Sequence, residues 1–166
     1  MEIRICENSK ELGRSAAEYV ARVINDAIAK KGEARIVLST GASQFDTLSA
    51  LVEIPGIEWS KVEMFHLDEY VDLPETHIAS FRKYLKERFI SKINLKAAHL
   101  VDGTPEGIAA LTAELRSAPI DIGLIGIGEN AFSCCYNLEK VVIPESVSDI
   151  GPCAFSCCQK LSDENG

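Results

Sequence analysis

Three short stretches of this sequence carry residue types that can do chemistry. Asp68-Glu69 places two carboxylates directly after a β-prone run ending in His66-Leu67. A carboxylate at the mouth of a sheet is a candidate general base, although most acidic loops are simply solvated. Ser39-Thr40-Gly41-Ala42-Ser43 lies between a strand pattern and a helix pattern. Free backbone N–H groups and the positive end of a helix dipole make such a turn a cradle for phosphate. No Lys follows, so it is no Walker loop, and a tight strand–helix turn without a ligand explains the same residues. The third stretch, Gly126-Ile127-Gly128-Glu129-Asn130-Ala131, has the form G-x-G-x-x-A after a strand. A dinucleotide site also needs a following helix, which Phe132-Ser133-Cys134-Cys135 does not provide, so no nicotinamide cofactor is expected. His66, Asp68, Glu69 and His77 match no established ligand spacing, and no metal is expected either.

The elements that position these residues alternate. Ile3, Ile5 and Cys6 form a short opening strand, and Asn8 or Ser9 caps a helix with Leu12, Ala16, Tyr19, Val20, Val23, Ile24, Ala27 and Ile28 on one face, ending near Gly32. Strand patterns follow at 34–38, 62–67, 99–101 and 120–127. Helix patterns stand between them: Phe45, Leu48, Leu51 and Val52; Phe81, Tyr84, Leu85 and Phe89; and Ile108, Leu111 and Leu115 behind the Thr104-Pro105 start. The last strand is continuously apolar, as for one covered on both faces. Right-handed crossovers turn this order into a parallel sheet with helices on both sides. Ligands in such sheets sit at the carboxyl ends of the strands, so 39–43, 68–70 and 126–130 should converge at one edge.

Composition sets the outer limits. The 166 residues are 46% hydrophobic and 25% charged, enough for one domain with a real core, with a net charge of −8. That surface argues against nucleic acid or an anionic membrane as partner. No apolar run reaches the length of a membrane span, and Met-Glu-Ile-Arg-Ile-Cys has no leader character, so a cytoplasmic location is expected.

Taken together, Ser39-Thr40-Gly41-Ala42-Ser43, Met64-Phe65-His66-Leu67-Asp68-Glu69-Tyr70 with Leu73-Pro74, and Gly126-Ile127-Gly128-Glu129-Asn130 resemble glucosamine-6-phosphate deaminase. This family lies in the wider deaminase/6-phosphogluconolactonase superfamily. The resemblance spans residues 1 to 130 and covers the first half of a deaminase domain. It implies aldose–ketose isomerisation with loss of ammonia, from glucosamine 6-phosphate to fructose 6-phosphate, without a cofactor. By the same resemblance Ser39 to Ser43 would hold the sugar phosphate. Asp68, with Glu69 beside it, would move a proton between C2 and C1, and Gly126 and Gly128 would let the backbone approach the sugar. Asn130 falls where the family carries Asp or Asn before Gly-His. That His opens the sugar ring, and here Asn130 is followed directly by Ala131-Phe132. Loss of turnover is therefore expected. The Asp-Glu-Tyr motif favours the deaminase branch over a 6-phosphogluconolactonase-like hydrolase.

From residue 127 the composition changes. Residues 127–166 carry two Lys against six Asp or Glu, and five of the six cysteines (Cys134, Cys135, Cys153, Cys157 and Cys158). Shifted by 23 residues, the tail matches itself at eight of twelve positions, Ala131-Phe132-Ser133-Cys134-Cys135 falling on Ala154-Phe155-Ser156-Cys157-Cys158. The pattern resembles the BspA-type leucine-rich repeat, in under two copies. There Cys135 and Cys158 would fill small buried positions; adjacent Cys-Cys pairs lack zinc-knuckle geometry. The expected fold class is therefore α/β: a truncated Rossmann-like parallel sheet with flanking helices over 1–126, then a short leucine-rich-repeat-like β segment over 127–166. A sugar-phosphate enzyme, a non-catalytic sugar-phosphate-binding remnant and a repeat-based interaction module are the competing functions. So short a solenoid cannot bury Phe132, Leu138, Val142, Ile143, Val147 and Phe155 together. Self-association is expected, unless a strand around Val141–Ile143 covers the sheet.

Overall fold

A computed structural model describes residues 6–41, 44–127 and 149–150. Helix α1, Ser9–Lys31, begins where the Asn8 side chain accepts from the Glu11 amide, and Glu11 in turn accepts from the Glu7 amide. It ends at Gly32, whose φ of 84° is the left-handed cap that glycine adopts without strain. The buried stripe of α1 is Gly13, Ala17, Val20, Ala21, Ile24 and Ala27, rotated from the expected face so that Leu12, Ala16 and Tyr19 are only half-buried. Small residues on that stripe let helix α2, Phe45–Glu53, come close. A Cβ on Gly13 would lie 2.7 Å from the Asp46 carbonyl carbon.

Strands β1 (Ala34–Leu38), β2 (Val62–His66), β3 (Ala97–His99) and β4 (Ile122–Leu124) form one parallel sheet in the order β3-β2-β1-β4. Alternation divides β1. Ala34, Ile36 and Leu38 join Val62, Met64, Ile122 and Leu124 in the core under α1 and α2, together with Leu85 of helix α3 (Phe81–Arg88) and the following Phe89. Arg35 and Val37 face helix α4, Pro105–Ser117, on the opposite side. Arg35 is 2% exposed. Its guanidinium donates to the carbonyls of Glu114 (2.6 Å), Leu115 and Ala118, lies over the Phe65 ring and pairs with Glu63 at 3.3 Å. A cation among the orphan carbonyls of a helix C-terminus satisfies them and suits the dipole, so Arg35 docks α4 on the sheet.

The sheet and its two helical layers are those the sequence implies, with two corrections. The strand expected at 99–101 lies at Ala97–His99, because the Lys96 amide already donates to Val62 O and starts the ladder earlier. The run expected as one strand over 120–127 is broken. Asp121 sits at its entry, accepting from the Arg35 amide, and only Ile122–Leu124 pair with β1. Beyond Ile125 the chain leaves this sheet: β5, Gly126–Ile127, pairs in parallel with β6, Asp149–Ile150. Gly126 opposes Asp149 and Ile127 opposes Ile150, so each pair joins positions one 23-residue repeat apart. The unbroken apolar stretch from Ile122 to Ile127 concealed the break. The expected opening strand and the segment Val141–Ile143 lie outside the described residues, apart from Cys6, which has no regular structure.

Candidate functional site

The carboxyl ends of β1, β2 and β4 meet because Leu38 is in register with both His66 and Leu124. The Ser39 amide and hydroxyl both donate to Leu124 O, and the hydroxyl accepts from the Gly126 amide at 3.2 Å. The Leu67 amide donates to Leu38 O. Ser39, Gly126 and Asp68 therefore stand at one edge, as the strand-end rule requires. Ala42, Ser43, Gly128 and Asn130 lie outside the described residues.

Gly41 takes φ 147°, a conformation that L side chains rarely adopt, and carries the chain from Thr40 into the start of α2. Gln44 stands at the N-cap position without a side-chain cap bond. Its side chain is buried, and neither amide atom has a hydrogen-bond partner; the Thr40 hydroxyl is also buried and unpartnered. Buried polar atoms are paired in the great majority of cases, so these three mark a place where polar capacity is left over.

A cavity of about 290 Å³ opens beside β2, lined among others by Val37, Phe65, His66, Asp68, Val101 and Ile108. The Asp68 carboxylate has no hydrogen-bond partner among the described residues. Burial, and then the charge of Glu69, push its pKa up from the ordinary aspartate value. Glu69 is in the opposite condition. Burial alone would raise its pKa, but the amides of Arg82, Tyr70 and Phe81 and the Ser80 hydroxyl outweigh that and hold it at about 2. His66 is 3% exposed with both ring nitrogens unpartnered. Desolvation lowers its pKa to about 4, so the ring is neutral at pH 7.

Sequence reasoning passed over Gln44, Ser80 and Arg82. Gln44 could have been found from its place after the small-residue turn, whereas Ser80 and Arg82 act across a loop and leave no local signal. No cluster of three metal-ligating side chains occurs among the described residues. His77 is exposed and accepts through Nδ1 from the Ala79 amide in its own turn. Nor is any helix among the described residues long and apolar enough to cross a membrane.

Comparison with known proteins places this edge in context. Residues 7–135 match the family model of glucosamine-6-phosphate isomerases/6-phosphogluconolactonase, and residues 110–165 match that of the BspA-type leucine-rich repeat region. Glucosamine-6-phosphate deaminase 2 of Giardia intestinalis is 34% identical over 125 residues, covering 69% of this chain and 48% of its own. The structure of a monomeric glucosamine-6-phosphate deaminase aligns with a TM-score of 0.69 at 23% identity, over 79% of this chain and 57% of that one. A 6-phosphogluconolactonase from Shewanella baltica aligns with a TM-score of 0.63 at 20% identity, over 76% and 55%. Both solved structures share the fold. The chain spans about half the length of the curated relatives it matches. On the strength of these matches, the chain belongs to the glucosamine-6-phosphate isomerase/6-phosphogluconolactonase family and carries a BspA-type leucine-rich repeat sequence in its last part.

Proposed function

We propose that the carboxyl edge of the four-stranded sheet binds a sugar phosphate, glucosamine 6-phosphate or fructose 6-phosphate. Ser39, Thr40, Gly41, Ala42 and Ser43 take the phosphate, and Asp68 is the group placed to move a proton between C2 and C1. The observation that carries this reading is the unpartnered Thr40 hydroxyl and Gln44 amide, buried beside the start of α2 at the edge where Asp68 stands. An anion there would meet free donors and the positive end of the helix. In this reading Gly126 lets the backbone approach the sugar, and Gly128 and Asn130, outside the described residues, are assigned to the same ligand. Ring opening has no histidine after Asn130, so the chain binds the sugar phosphate without releasing ammonia. The deaminase branch is preferred to the lactonase branch on the Asp68-Glu69-Tyr70 motif.

Residues 127–166 form a separate repeat unit in this reading, supported by the β5–β6 register of one repeat. That register also favours, as a second reading, a repeat-based interaction module attached to the sugar-phosphate domain.

Calorimetry with fructose 6-phosphate on the purified chain tests the binding. Saturable binding is expected, weakened about tenfold by Thr40→Val, since a hydrogen bond to a charged group contributes about 1.5 kcal/mol or more. Asp68→Asn leaves binding in place. Glucosamine 6-phosphate should yield no ammonia. Absence of binding, or ammonia release by contaminant-free protein, overturns the proposal.

A further inference from the structure

Asp68 and Glu69 share the same chemistry, yet the fold uses them differently. The Glu69 side chain is 0% exposed. Its Oε2 accepts from the Ser80 hydroxyl at 2.9 Å, the Arg82 amide at 2.8 Å and Arg82 Nε at 3.2 Å. Its Oε1 accepts from the Tyr70 amide at 3.0 Å and the Phe81 amide at 3.2 Å. A carboxylate offers about four lone-pair sites, and all are committed. Four of the five donors belong to Ser80, Phe81 and Arg82, the N-cap and first turn of α3, whose free amides and dipole favour an anion. The loop from Val71 to Ala79 is thereby closed at its base. Arg82 extends the closure by donating to Leu73 O at 2.8 Å.

We infer that Glu69 is a positioning residue and not a second acid–base group: its buried carboxylate ties the end of β2 to the start of α3 and leaves Asp68 as the carboxylate free at the cavity. This deepens the proposed function and rests on its reading of Asp68. The charged and titratable groups around Glu69 are Arg82 on α3, His66 on β2 and Asp68 beside it. Removing the Glu69 charge must therefore be felt at Asp68, which a purely structural tie would leave unchanged.

Carboxyl-carbon NMR titration of the native chain and of Glu69→Gln, with amide exchange, tests the inference. In the native chain Glu69 should remain ionised at about pH 4, where an ordinary glutamate is more than half protonated. In Glu69→Gln the Asp68 midpoint should fall toward that of an ordinary aspartate. The Phe81 and Arg82 amides should exchange at least about tenfold faster, a loss of about 1.4 kcal/mol of protection, with β1 and β2 unchanged. A native Glu69 that titrates with the exposed glutamates overturns the inference, and so does an Asp68 midpoint or amide protection unmoved by the substitution. If the variant does not fold, the native titration alone decides. None of these readouts uses a sugar phosphate, so failure of ligand binding removes the proposed function and leaves this assignment standing.

Discussion

A buried imidazole with two unpartnered nitrogens leaves a pH signature on stability. The pKa of His66 is lowered from 6.5 to about 4, because desolvation disfavours the cation in the folded state. Between those values the unfolded chain binds a proton that the folded chain does not. Stability is then fully present above about pH 6.5 and falls as pH drops toward about 4. Glu69, held at about 2, adds a second loss of the same sign below the ordinary glutamate range. Urea midpoints measured from pH 7 to 5 should therefore decline in the native chain, and His66→Leu should flatten the decline while removing two orphaned polar atoms. An equal slope in the variant would show that another group titrates. Of these residues, the place of Asp68 just past a strand end was legible in the sequence because it follows directly on a β-prone run. The role of Glu69 was not, because four of its five donors lie 11 to 13 residues away and two of those four are backbone amides, which carry no sequence signal.

The helices and the strands at 34–38 and 62–66 were legible from periodicity and caps; how they dock was not. A glycine inside a helix ordinarily weakens it, yet at Gly13 the Asp46 backbone of α2 lies where a Cβ would stand. Alanine there gains about 1 kcal/mol in helix propensity, but its Cβ would press on the Asp46 backbone. A net loss of about 1–2 kcal/mol is expected for Gly13→Ala in thermal denaturation. The same push would disturb the start of α2, so sugar-phosphate affinity should fall with it. Arg35 likewise sits inside a run that looks merely β-prone. Arg35→Met would remove the side-chain donor from the Leu115 and Ala118 carbonyls at the end of α4, while Glu114 O keeps the Ser117 hydroxyl, and cost about 3 kcal/mol. That is the low end for losing one partner of a buried pair, because Glu63 keeps Lys96 at 2.9 Å. Chemical denaturation of the variant should show this loss, with α4 amides exchanging first. The break at Ile125 escaped the sequence because an apolar run shows no difference between one strand and two, and the pairing of β5 depends on residues 149–150, far along the chain.

At Gly126 the chain leaves the four-stranded sheet beside the Ser39 hydroxyl and pairs with Asp149, one 23-residue repeat further along the sequence. The spacing of that pair was visible in the sequence as a repeat. The parallel pairing one repeat apart is what stacked repeats require. On the α4 face no residue of the helix is buried, and Ile108 is 46% exposed. With Val71 and Ile78 also exposed, apolar surface remains near the edge that holds the site. Light scattering behind size exclusion should therefore give a mass above that of one chain, rising with concentration; a constant monomer mass would show that this surface is covered within the chain. The central claim is that the edge joining Ser39–Gly41, Gln44 and Asp68 receives a sugar phosphate. Amide chemical-shift mapping during titration with fructose 6-phosphate tests it most directly. The account predicts saturable shifts concentrated at Thr40, Gly41, Gln44 and Asp68, reversed by excess inorganic phosphate. Shifts confined to other surfaces, or none at saturating ligand, would contradict it.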